Sequence, residues 1–168
     1  MTNALTQQQV ESLARSVGFS AEDARIAAAI SMVEAPYSAN GRSYSDFDLV
    51  GDQALANATW GYSYGGMQIR SLRADKGTGR IRDELKLPDP TFNLKSALAI
   101  RKAQGWTAWS TYNTGQYQAL LQDLFPPPAG VYVVVPGDTL SGIARRLKIA
   151  SWTDLARVNG LQPSTGSM

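Results

Sequence analysis

With neither histidine nor cysteine in the chain, any catalysis must run on carboxylates, tyrosines, lysines or hydroxyls. That absence removes the commonest general base and metal ligand, the thiolate nucleophile and any disulfide framework. Among the acids, Glu34 stands apart. It closes the run SAEDARIAAAISMVE (20 to 34), in which no other acid follows Asp23. A carboxyl placed there meets apolar neighbours and the partial negative charge of a helix C-terminus, and both disfavour ionisation. Its pKa is therefore expected to be raised, as a general acid near neutral pH requires. The competing reading is a carboxylate turned to water at a frayed helix end. Asp46, Asp48 and Asp52 are the nearest following acids that could partner Glu34, or else they are solvated loop acids.

Two further stretches carry candidate chemistry. GYSYGGMQIRSL (61 to 72) contains Ser63 and Gln68 around the pair Gly65-Gly66, where the missing side chains let backbone approach a ligand or another helix. GWTAWSTYNTGQY (105 to 117) is dense in Trp106, Trp109, Tyr112 and Tyr117. Such aromatics serve as core, or they stack on sugar rings while offering a polar handle.

Positioning these groups falls to helices. Ser20 is an N-cap, Glu22 and Asp23 suit the positive end of the helix dipole, and the alanines with Ile26, Ile30 and Val33 leave little polar surface. The helix is expected to be buried on most sides and to stop at or just after Glu34, since Pro36 disfavours helical geometry at Ala35. Thr6 to Val17 reads as a first helix, with Thr6 and Gln9 in capping-box spacing and Gly18 as terminator. From Tyr37 to Trp60 the pattern predicts a long loop forming one wall of a groove. Asp89-Pro90 opens a helix ending at Gly105, and a last helix is expected over about Thr114 to Phe125.

Phe125-Pro-Pro-Pro-Ala-Gly130 has the composition of a semi-rigid linker. Beyond it VYVVV (131 to 135) reads as a β-branched strand, PGDT as a turn and Leu140 to Leu147 as an amphipathic helix. Ser151 caps a second helix with Asp154 in box position, closed by Asn159-Gly160. So small a unit has little core and is expected to lean on a partner or a second strand.

The 168 residues, 43% hydrophobic and 18% charged, describe an ordinary globular chain of one or two domains. A net charge of +2 is too weak for a nucleic-acid partner. No apolar stretch approaches the length of a membrane span and no signal-like segment opens the chain, so neither membrane insertion nor export by its own signals is expected. No metal and no cofactor is expected.

In both parts the residues resemble known families. VYVVVPGDTLSGIARRLKIASWTDLARVNGLQ is similar to the LysM module, a βααβ peptidoglycan-binding unit, although the family's second strand is missing from the pattern. Residues 20 to 121 resemble the lysozyme-like, soluble lytic transglycosylase superfamily, particularly versions from phages and from hosts of the actinobacterial kind. The likeness rests on the order of three motifs: the acid closing an alanine-rich helix, SYGGMQI (63 to 69), and the aromatic segment from Gly105. Where that family has Glu-Ser-Gly, this chain has Glu34-Ala35-Pro36. The fold implied is a mainly α lysozyme-like domain (1 to 124), the linker (125 to 130) and a small α+β, βαα module (131 to 168).

The resemblance implies Glu34 as catalytic acid and Ser63, Gln68, Tyr112 and Asn113 as substrate-binding residues. It places a glycan groove at Gly137, Asp138, Thr139 and Leu140 with Asn159, Gly160 and Leu161. The implied activity is cleavage of the β-1,4 bond between N-acetylmuramic acid and N-acetylglucosamine, with peptidoglycan strands as partner. A transglycosylase outcome is favoured over hydrolysis because no second acid sits in an evident partner motif. The expected setting is a virion, as a tail or baseplate component with other such proteins as neighbours. A structural tail protein and a free endolysin are the alternatives.

Overall fold

A computed structural model of the chain describes residues 3–124, 132, 134, 138–149 and 151–161. Within it the chain divides into two units, residues 1–126 and 127–168.

In the first unit local chemistry sets the opening helices. Thr6 and Gln9 exchange both bonds of a capping box at the start of α1 (Gln7–Ser16), so two otherwise orphaned donors are satisfied before the first turn closes. Ser20 Oγ accepts from the Asp23 amide at 3.1 Å to start α2 (Ala21–Glu34). This helix runs through the middle of the unit. Ala24, Ala27, Ala28, Ala29 and Ile30 are all fully buried, and α1, α4 (Ser110–Asn113) and α5 (Gln118–Leu124) pack on it. Alanine on so many sides lets neighbouring helices come close. The larger Val10, Phe47, Met67, Leu87 and Leu94 fill the space beyond, each of them contributing about 1.5–3 kcal/mol by burial. The helix ends at Glu34, and Ala35 before Pro36 leaves helical geometry (φ −132°, ψ 62°), as the pre-proline clash requires.

Part of the stretch expected as a long loop is instead built into two small antiparallel sheets. β2 (Pro36–Ala39) and β3 (Arg42–Asp46) form a hairpin in the register Ala39↔Arg42, and β1 (Ala4–Leu5) lies on the other side of β3. The connecting pair is Asn40-Gly41, both with positive φ (51° and 70°), which is the two-residue turn whose twist matches the strands it joins. The second sheet has the order β4 (Val50–Gly51), β5 (Trp60–Tyr64), β6 (Ile69–Leu72).

α3 (Pro90–Gln104) begins as expected, with Asp89 accepting from the Phe92 amide at 2.7 Å, and stops at Gly105, whose φ is +72°. Its Asn93 is fully buried and fully used. Its carboxamide accepts from the Met67 amide at 3.1 Å and donates to the carbonyls of Tyr64 and Leu87, each at 2.9 Å, pinning the β5–β6 connection to the helix. The last helix starts later than expected, at Gln118, because α4 and a turn occupy the preceding residues.

In the second unit Thr139 caps α6 (Leu140–Arg146), accepting from the Gly142 amide at 3.1 Å. Ser151 caps α7 (Trp152–Val158) by accepting from the Thr153 amide at 3.2 Å, while Asp154 pairs forward with Arg157 at 3.0 Å. Ile143, Ala144 and Ala156 are buried between them. The expected linker at 125–130 and the residues after Leu161 lie outside the described residues, as do positions 131, 133 and 135 of the expected strand and 136 and 137 of the PGDT turn.

Candidate active site

The C-terminus of α2 delivers Glu34 into an open cleft of about 490 Å3. Glu34 is half-buried, neither sealed in the core nor turned free into water. Its Oε1 accepts a hydrogen bond from the Thr111 hydroxyl, and Thr111 is only 4% exposed on the short helix α4. A buried hydroxyl therefore fixes the carboxyl's orientation from behind while its front faces the cleft. The remainder of the helical wall comes from Ile100 and Gln104 of α3 and from Ala108, Trp109 and Ser110.

The facing wall belongs to the second sheet. Asp52 lines the cleft from the residue after β4, an exposed carboxylate held in a left-handed backbone (φ 54°) with its Oδ2 accepting from the Ser63 hydroxyl at 2.5 Å. Ser63 is itself buried, so the bond anchors Asp52 to β5. Gln68 also lines the cleft, at a positive φ of 43°. Its Nε2 donates to the Gly65 carbonyl at 2.9 Å and the Leu49 carbonyl at 3.3 Å, closing the turn between β5 and β6. A Cβ on Gly51 would stand 2.2 Å from Gln68 Oε1, so glycine at that position is what lets the amide lie against β4. Trp60, Arg70 and Arg82 complete this side.

At the floor the two walls are joined directly. Trp109 Nε1 donates to the Met67 carbonyl at 2.9 Å, and Gly66 sits so close to the Phe47 ring that an added Cβ would be 2.5 Å from it.

Of the residues expected around the acid, the cleft brings together Glu34, Ser63 and Gln68. Tyr112 and Asn113 do not line it. Tyr112 stacks between Trp106 and Tyr117 (centroids 6.3 and 5.0 Å away) in the aromatic core, and Asn113 is exposed with its Nδ2 bonded to the Thr107 carbonyl at 3.0 Å. Burial, with Tyr112 alongside, raises the Tyr117 phenol above its ordinary pKa. Of the three candidate acids, Asp48 is spent on Asn3 (2.8 and 3.0 Å) and Asp46 on the Asp48 amide (2.9 Å). Asp52 alone of the three faces the cleft. Sequence reasoning passed over Thr111, Trp60, Arg70 and Arg82. Thr111, Arg70 and Trp60 lie within or beside motifs already singled out, but nothing local marks which way a side chain in a one-turn helix or a short strand will point.

In the second unit Asp138 accepts from the Tyr132 hydroxyl at 2.8 Å and faces Arg146 at 3.5 Å. Thr139 serves as the α6 cap and Leu140 is half-buried. Asn159 Nδ2 returns to the Leu155 carbonyl at 2.8 Å, Gly160 has a φ of +67°, and Leu161 is half exposed (50%). Gly137 lies outside the described residues.

A helical body with small antiparallel sheets, set about an acid at the end of its central helix, is a lysozyme-like fold. The lysozyme-like domain family matches residues 11–111, well over half of the chain, and the chain belongs to that family. The LysM domain family matches residues 132–165. Together the two matches support a function at the cell wall, with peptidoglycan as the material bound. No curated protein and no solved structure matches the chain.

Proposed function

We propose that the protein cleaves the β-1,4 bond between N-acetylmuramic acid and N-acetylglucosamine in peptidoglycan, with Glu34 as the proton donor. The observation that carries this reading is the placement of Glu34, half-buried and oriented by Thr111, on one wall of the cleft. Its carboxyl proton passes to the glycosidic oxygen as the bond to the anomeric carbon breaks, leaving an oxocarbenium-like centre and a free hydroxyl on the departing sugar. In the transglycosylase route the Glu34 carboxylate then takes the proton of the sugar's own 6-hydroxyl, whose oxygen closes on the anomeric carbon as a 1,6-anhydro end.

Asp52 supports a second reading. Its carboxylate stands in the same cleft as Glu34, which is what hydrolysis needs, with the second group acting as nucleophile or as base for a water. In both readings Ser63 and Gln68 act as supports for the sheet wall, and the sugar-facing aromatic is Trp60 in place of Tyr112. Loss of turbidity from purified cell walls tests the common core of the two. Glu34→Gln is expected to abolish it, and equal activity of variant and wild type removes Glu34 from the mechanism. The mass of the released fragments separates the routes, since an anhydro end weighs one water less than a reducing end. Under hydrolysis, Asp52→Asn is also expected to lose activity; under the transglycosylase route it keeps most of it.

For the setting we propose a phage tail or baseplate, with the second unit holding the wall or a neighbouring protein. Its support is the departure at Glu34-Ala35-Pro36 from the family's Glu-Ser-Gly, with the likeness of residues 20 to 121 to versions from phages and their hosts alike. Detecting the chain in purified, washed virions tests it, and finding it only in the lysate favours a free endolysin.

A further inference from the structure

The described lysines and arginines mostly fall into two groups. Arg73, Lys76, Arg80 and Arg101 are paired with carboxylates, while Arg15, Arg42, Lys86, Lys95 and Lys102 are exposed to solvent. Arg70 and Arg82 belong to neither. Both are half-buried, both line the cleft that holds Glu34 and Asp52, and among the described residues no carboxylate lies within 4.0 Å of either. Their protein acceptors are backbone carbonyls: Arg82 Nη1 donates to Arg70 O at 2.8 Å, and Arg70 donates to Gly61 O at 3.5 Å and to Leu55 O. Both guanidiniums also stand by Trp60, with Cζ 5.8 Å (Arg70) and 5.2 Å (Arg82) from its ring centroid. Burial lowers the Arg82 pKa from its ordinary value, with Asp75 opposing the shift, so this cation is partly desolvated. A cation taken out of water is stabilised when a charged acceptor arrives, and two guanidiniums flanking an indole suit a planar carboxylate beside a sugar ring.

We propose that Arg70 and Arg82 form a carboxylate subsite in the cleft, which recognises the acidic lactyl arm of the muramyl residue. This rests on the glycan-cleaving reading above and adds what that reading leaves open, namely which part of the strand is sensed. The carboxylate has two sources: the lactyl group itself on a peptide-free strand, or the stem peptide where one is attached.

The test measures binding to the full-length Glu34→Gln protein, which leaves the strands uncut. Three ligands of equal sugar number are compared: peptide-bearing strands, strands stripped of peptide by an amidase, and chitin oligomers, which have the same N-acetylated β-1,4 backbone and no carboxylate. The expected result is tighter binding of at least one carboxylate-bearing strand than of chitin oligomers. Arg70→Gln and Arg82→Gln should each erode that advantage by about tenfold or more, and added salt should shrink it. Which strand leads identifies the source. Arg82 also props the Arg70 carbonyl, so the melting temperature is measured alongside, and Arg70→Gln with the salt series decides the matter if Arg82→Gln does not fold. Equal binding of all three ligands overturns the proposal while leaving the glycan-cleaving reading intact. So does an equal loss for all three in the variants, which would make the arginines supports for Trp60. Absence of binding to any glycan overturns the reading itself.

Discussion

Thr111 reaches Glu34 from the opposite end of the unit's sequence, and its hydroxyl is the contact that aims the acid. Replacing it by valine keeps the shape and leaves the carboxyl without its buried donor. Hydrogen bonds to charged groups contribute about 1.5–3 kcal/mol, so Thr111→Val is expected to lower kcat on wall glycans by roughly tenfold or more, with a small change in melting temperature. Thr111→Ser should recover most of the loss in the same assay. A second prediction concerns Asp83, fully buried beneath the turn at Gly77 to Gly79. Burial alone would raise its pKa, but bonds from the amides of Gly77, Gly79 and Leu85, with Lys86 nearby, outweigh it and the pKa is lowered. A folded pKa below the unfolded one adds stability at pH values above the ordinary carboxylate pKa, and that stability disappears as pH falls through the folded value. Asp83→Asn should therefore melt earlier than wild type at neutral pH, and thermal melts at decreasing pH should show the gap closing. At this scale the place of Glu34 at the end of α2 was legible because its cues lie in the same stretch: Ser20, the alanines and Pro36. The residue bonded to the acid is Thr111, the neighbour of the expected Tyr112. Neighbours on a helix point about 100° apart, so with Thr111 facing the acid, Tyr112 turns to the aromatic stack.

At the scale of elements, the sheets were the features least visible beforehand. PYSA alternates over only four residues and RSYSD holds a single apolar residue, Tyr44, so the stretch is too short and too polar for a reading led by hydrophobic periodicity to mark it as strand. The cue that was present, Asn40-Gly41, is conformational: both residues must take positive φ. Gly41→Ala has open space for its methyl, so its cost is backbone strain alone, about 1 kcal/mol, read as a modest drop in denaturation midpoint. Gly66→Ala differs in kind. Its methyl would enter the Phe47 ring, and overpacking of about 1–3 kcal/mol should come with loss of activity, because Met67, bonded to Trp109, and the cleft residue Gln68 follow directly. Unfolding midpoints and wall-lysis rates measured on both variants separate the two causes.

For the whole molecule, the proline run and the change of pattern after it are the sequence's cue to two parts, and the family matches, residues 11–111 and 132–165, fall on either side of that run. Legibility ended where chain-distant residues meet. Asp52 becomes a cleft residue through Ser63, and that contact has no signature in the stretch from Tyr37 to Trp60. The first unit contains its own core, from Val10 to Tyr117. Residues 1–124 alone are therefore expected to melt cooperatively and to cut soluble glycan strands at near the full-length rate. Retention on insoluble wall material should fall, and co-sedimentation with purified walls measures it.

The bond from the Trp109 indole to the Met67 carbonyl, with Asn93 clasping the same turn, ties the helices to the sheet beneath the cleft. The trough is thus cast before any sugar arrives, and docking has little ordering entropy left to lose at its base. Association should proceed in a single fast phase, and the Met67 amide should resist deuterium exchange equally with and without a bound strand.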